Sequence, residues 1–132
     1  MKLLVDTSVW SLAMRRDMPV SAPEVQVLID AINIGVELYS TGIILQELLQ
    51  GFSKPKAHNL IVERFASIPM LVPETSDYIK AAELRNRCRQ KGIQAGTIDS
   101  LIAQLSLRFD LSLLTTDKDF SHMEKVVKLK IA

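Results

Sequence analysis

Two short apolar runs, one near each end of the chain, stop in the same way. LLVDTS (residues 3–8) and LSLLTTD (residues 111–117) each carry leucine or valine into an aspartate beside hydroxyl residues. Neither run alternates apolar with polar residues. That is how a strand covered on both faces reads, and such strands belong to parallel sheets. Asp and Ser also serve turns, so the strand ends by themselves are explained by chain reversal alone.

The rest of the chain fits the same frame. Residues 36–41, 70–72 and 126–131 read as further strands, beside 2–5 and 111–115. Between them lie helical periodicities. Residues 24–34 place Val25, Val27, Leu28 and Ile32 at helical spacings after Pro23, 43–50 stop at Gly51, and 56–67 end before Pro69. Residues 76–91 put Tyr78, Ala81, Leu84 and Cys88 on one face and end at Gly92. Residues 98–108 turn Ile98, Leu101, Ile102 and Leu105 inward, and a short helix falls near 118–124. Strands alternating with helices predict βαβ units and an α/β sandwich built as one domain over residues 1–132.

Composition narrows the function classes. The net charge of +1 gives no global basic field, so polyanion binding has to come from a local patch. The single cysteine, Cys88, cannot form an internal disulfide, which fits a reducing compartment. Asp6 interrupts the first apolar run before a secretory h-region could form, and no stretch approaches the roughly 18 apolar residues of a membrane span. The expectation is a cytoplasmic protein.

Four acidic residues stand out of place. Asp6 and Asp117 follow apolar strands, Glu47 sits in IILQELLQGF, and Asp99 lies one turn into the apolar helix GTIDSLIAQL. Singly, each has a plain explanation: Asp99 suits a helix N-terminus, worth under about 1 kcal/mol, and Glu47 suits a solvent-facing position. Together they could converge at one sheet edge, where sites of open α/β sheets lie. Two carboxylates 4 Å apart repel by about 4 kcal/mol at an effective dielectric of 20, so such a cluster is sensible only around a cation. All-oxygen ligands suit Mg²⁺ or Mn²⁺, while His58 and His122 are too isolated for a zinc site.

This constellation resembles the PIN-domain ribonucleases, most of all the VapC-type toxins of toxin–antitoxin pairs. The likeness rests on LLVDTSVW (3–10), LQELLQG (45–51), TIDSLIA (97–103) and LLTTDKDF (113–120) in that order, and it spans essentially the whole chain. It implies a PIN-like three-layer α/β/α sandwich around a mostly parallel sheet of four or five strands. The family's acidic quartet carries onto Asp6, Glu47, Asp99 and Asp117, with Asp6, Asp99 and Asp117 as metal ligands and Glu47 ligating or orienting water. Its hydroxyl positions match Thr7 or Ser8 and Thr115, and Asp119 lies close enough to assist. The implied activity is Mg²⁺- or Mn²⁺-dependent hydrolysis of RNA to 5′-phosphate and 3′-hydroxyl ends. The implied partners are a VapB-like antitoxin and a second copy of the chain.

RNA needs cations along its backbone. Arg85 and Arg89 on one helical face, Arg15 and Arg16, Lys54 and Lys56, and Lys118 are the candidates, for RNA or for the antitoxin, although each also fits a solvated charge. Trp10, Leu12 and Met14 suit either an apolar antitoxin groove or, for Trp10, the core. A phosphatase with an aspartate nucleophile after its first strand would want a second Asp where Ser8 stands. A receiver module would want paired acids there. A nuclease of RNA processing outside a toxin pair and a non-catalytic binding module are the remaining alternatives, and metal dependence separates the last from the rest.

Overall fold

The computed structural model describes residues 1–15 and 22–132. Its sheet is parallel throughout, with strands β1 (Lys2–Val5), β2 (Glu37–Thr41), β3 (Met70–Leu71) and β4 (Ser112–Leu114) in the order β3-β2-β1-β4. Leu3, Leu4 and Val5 point alternately to opposite faces, yet none exceeds 1% exposure, so helices cover both faces of the central strand. The registers Leu4↔Tyr39 and Leu4↔Leu113 flank it on both sides.

Seven helices are found among the described residues: α1 (Thr7–Met14), α2 (Pro23–Ile34), α3 (Gly42–Gly51), α4 (Pro55–Phe65), α5 (Thr75–Gln90), α6 (Thr97–Arg108) and α7 (Lys118–Met123). Pro23 opens α2 at a position where a missing N–H costs nothing, and Gly35, at φ 89°, closes it by donating to Ala31 O. Helix α5 buries Asp77, Ala81, Leu84 and Cys88, and α6 buries Ile102, Ala103 and Leu105. The two helices run antiparallel, since Asp77 bonds Gln104 and Arg108 while Arg85 bonds Ala95.

The topology sets the site. From β1 the chain goes to β2 on one side, and only later returns to β4 on the other side of β1. The carboxyl ends of β1 and β4 are therefore neighbours from which the chain departs in opposite directions, which leaves a crevice between them. The backbone closes its base: Asp6 N–H donates to Leu114 O at 2.9 Å.

Several expectations are corrected. Residues 7–14, to which the sequence pattern assigns no element, form a helix with Val9 and Trp10 buried. Tyr78 and Ile98 face solvent, at 55% and 37% exposure, because the buried stripe of α5 starts at Asp77 and α6 turns Ile102 rather than Ile98 inward. Residues 126–131 do not form a strand. They make an isolated bridge, Leu113↔Ile131, with Leu113 N–H donating to Lys130 O and Ala132 N–H to Leu113 O.

Candidate active site

Asp6 is the hub. It follows β1, is 6% exposed, and does not cap α1 with its side chain. Its Oδ2 instead accepts from Ser8 Oγ (2.8 Å) and Thr115 Oγ1 (2.9 Å). Each hydroxyl in turn accepts a backbone N–H: Thr116 N–H to Ser8 Oγ at 3.1 Å, and Asp117 N–H to Thr115 Oγ1 at 3.0 Å. The two strand ends are thus tied through one carboxylate oxygen, and Oδ1 is left without a protein donor among the described residues.

Glu47 reaches the same region from α3. Thr7 Oγ1 donates to its Oε1 at 3.0 Å, which fixes the carboxylate and leaves Oε2 free of side-chain donors. Asp117 caps α7, accepting Asp119 N–H on Oδ1 at 2.9 Å. That bond turns the chain so that Asp119 lies beside Asp117.

Asp99 enters from the first turn of α6. A helix that precedes a parallel strand runs back across the sheet, so its N-terminus lies at the sheet's carboxyl edge. Half-buried there, Asp99 has its carboxyl pushed up to about 6, first by burial and then by the charges of Asp117, Asp6, Asp119 and Glu47. All four acids of the sequence quartet, and Asp119 with them, therefore share one electrostatic neighbourhood. Carboxylate oxygens of Asp99, Asp117 and Asp119 lie within 4.8 Å of one another. Asp119 thus stands inside the cluster rather than at its margin.

The residues fit a hard divalent cation. Every donor is a carboxylate or hydroxyl oxygen, no lysine or arginine ion pair reaches the cluster among the described residues, and the repulsion raising Asp99 is what a cation would relieve. The arrangement can hold such a cation, orient a water and place a phosphate beside both.

The candidate contact residues separate. Trp10 is corrected to core: it is 6% exposed and its ring packs tilted, at 57°, against Phe65 with centroids 5.0 Å apart. Arg85 is half-buried and donates from Nε to Ala95 O at 2.9 Å, so one of its donors is committed to the fold. Arg89 and Lys118 are exposed. Arg16 lies outside the described residues. Met14 and Arg15 line one groove of about 480 Å³ with Phe52, Lys54, Lys56, Leu60, Ile61 and Arg64.

One buried acid, Asp77, escaped the sequence reading. It is 0% exposed and bonds Glu74 N–H (2.8 Å), Gln104 Nε2 (3.2 Å) and Arg108 Nε (2.9 Å), at the end of α6 away from Asp99.

Comparison with known proteins bears on the family and the fold. The PIN domain family model matches residues 3–126. A search of curated proteins by sequence finds no match. Among solved structures, the chain is similar to VapBC2 from Rickettsia felis bound to a DNA fragment from their promoter, with a TM-score of 0.77 and 20% identity over 100% of this chain and 98% of that chain. It is also similar to VapBC-1 from nontypeable Haemophilus influenzae, with a TM-score of 0.76 and 18% identity over 100% and 97%. Mycobacterium tuberculosis VapC20, a Sarcin-Ricin loop cleaving toxin, gives a TM-score of 0.66 and 13% identity over 90% and 92%. At these identities the likeness establishes the fold.

Proposed function

The chain belongs to the PIN domain family, and from that premise we propose that it is a metal-dependent endoribonuclease, the toxin of a VapBC-type toxin–antitoxin pair. It hydrolyses single-stranded or structured RNA to 5′-phosphate and 3′-hydroxyl ends. The observation that carries this reading is the convergence of Asp6, Glu47, Asp99, Asp117 and Asp119 where β1 and β4 diverge.

Asp6, Asp99 and Asp117 would hold Mg²⁺ or Mn²⁺, and Asp119 would add a fourth carboxylate. A cation bound there supplies positive charge at the scissile phosphate and a water of lowered pKa. Glu47, fixed by Thr7 through one oxygen, uses the other to orient the attacking water and take its proton. Ser8 and Thr115 keep Asp6 in a single orientation, the task of outer-shell partners in metal sites.

The groove of Met14, Phe52, Leu60 and Ile61, rimmed by Arg15, Lys54, Lys56 and Arg64, suits an antitoxin segment that offers apolar and acidic side chains. Likeness to VapBC structures supports that partner. The toxin works as a homodimer in the cytoplasm, and no helix of the described residues is long and apolar enough to cross a membrane.

End-mapping of total RNA incubated with the purified protein tests the reading. New 5′-phosphate ends are expected with Mn²⁺ and wild-type protein, and none without metal or with Asp6→Asn. Ends that persist in Asp6→Asn or in chelator would overturn it.

A further inference from the structure

The segment that feeds Asp99 into the site is held from outside the site. Helix α5 closes at Lys91 and Gly92, the latter at φ 72°, and Ile93 N–H folds back onto Cys88 O at 2.8 Å. Over Gln94 and Ala95, one hydrogen bond fixes the backbone among the described residues: Arg85 Nε to Ala95 O, 2.9 Å. Ala95 is buried and is followed by Gly96, the N-cap of α6. Ser100 then locks Gly96 O twice, by its N–H at 2.9 Å and its Oγ at 2.7 Å. Asp99 is the third residue of that turn, and a Cβ placed on Gly96 would lie 3.8 Å from its Oδ2. A shift of the Ala95 carbonyl is therefore passed through Gly96, Thr97 and Ile98 to the Asp99 carboxylate.

The other end of α6 is anchored separately by Asp77, Gln104 and Arg108. Loss of the Arg85 bond would leave the helix packed but its first turn free to move. Arg85 is half-buried and pairs with no carboxylate among the described residues, so its bond to a carbonyl is not incidental to an ion pair.

We infer that Arg85 is a positioning residue that sets Asp99 for cation binding through the Ala95 carbonyl, and is not a contact to RNA. The inference rests on the metal-dependent reading above. Misplacement of a reacting group by about 1 Å can cost a hundredfold in rate, and loss of an outer-shell partner costs roughly ten- to a hundredfold in metal affinity.

The test is a Mn²⁺ titration followed by thermal melting, with RNA cleavage kinetics alongside, for wild type, Arg85→Ala, Arg85→Met and Arg85→Lys. Expected for Ala and Met is a half-maximal Mn²⁺ concentration raised about tenfold and a lowered kcat, with KM for RNA and its salt dependence unchanged. Arg85→Lys, which keeps an N–H donor on a stem of similar reach, recovers most of the Mn²⁺ midpoint. Arg85→Met keeps the apolar stem, so it reports on the donor even if Arg85→Ala fails to fold. A wild-type Mn²⁺ midpoint in Arg85→Met would overturn the inference, above all if KM rises and its salt dependence flattens. Absence of any Mn²⁺ shift in the wild type would instead overturn the metal-dependent reading, and this inference with it.

Discussion

The two ends of the α5–α6 hairpin each hold a carboxylate, one fully and one half buried, in opposite surroundings. At one end Asp77 is fully buried, yet it accepts from a backbone N–H, an amide and the Arg108 guanidinium. Burial pushes its carboxyl up, but the Glu74 N–H, Gln104 and Arg108 outweigh that and hold it below the ordinary value. At the other end Asp99 is pushed up to about 6 by burial and by neighbouring charges that are all carboxylates. One aspartate is satisfied by the fold. The other is left for something the protein must bind. Burial of an acid therefore does not mark a site; burial without a countercharge does.

Substitution sharpens this contrast, and the largest effect falls on activity. Asp99→Asn should lower kcat/KM for RNA at least about a hundredfold, since a metal site supplies several kcal/mol to the transition state. Its melting temperature in metal-free buffer should be unchanged or higher. Asp77→Ala should do the reverse: about 2 kcal/mol of stability lost in denaturant melts, from the Gln104 amide and Glu74 N–H left without their acceptor, with the cleavage pattern kept in whatever fraction stays folded. Equal stability losses in the two variants would dissolve the distinction.

The pH dependence is a smaller effect with opposite signs. Asp99 has a folded value above its ordinary 3.8. Its contribution is present below about 3.8 and is lost as pH rises through about 6. Asp77 has a folded value below 3.8, so its contribution is present above 3.8 and is lost as pH falls below it. In metal-free melts, wild type minus Asp99→Asn should decline between pH 4 and 6, while wild type minus Asp77→Asn should decline only on the acid side. The same slope in both differences would show that the two environments are alike.

The smallest effect tests a tether. Thr7→Ala removes the hydroxyl that fixes Glu47. It should cost about 1 kcal/mol or less in stability and lower kcat without changing the Mn²⁺ midpoint. A shifted midpoint would make Glu47 a ligand rather than a group that orients water.

The contrast also explains what could be read in advance. Asp6, Glu47, Asp99 and Asp117 were visible because apolar neighbours made them anomalous, and the topology then brought them together. Asp77 lies in the polar stretch TSDYIK, and the partner that justifies its burial is 31 positions away on another helix. Counting back from Cys88 through Leu84 and Ala81 reaches position 77 at helical spacing as well as 78, so local pattern alone could not decide. Helix α1 was hidden for a related reason. Asp6 is a good helix-start residue, but its carboxylate is spent on Ser8 and Thr115, and the reading of a turn or site explained it without a helix. VVKLKI (126–131) has strand character, yet only its end pairs with Leu113, a property of where the chain runs rather than of the segment.

The most direct measurement is the melting temperature of wild type and Asp99→Asn, each with and without saturating Mn²⁺. Binding at a hundred times Kd would add about 2.7 kcal/mol to the folded state. The convergent carboxylates predict a clear rise for wild type and a much smaller one for Asp99→Asn. Equal shifts in the two proteins would contradict a cation site built on Asp99.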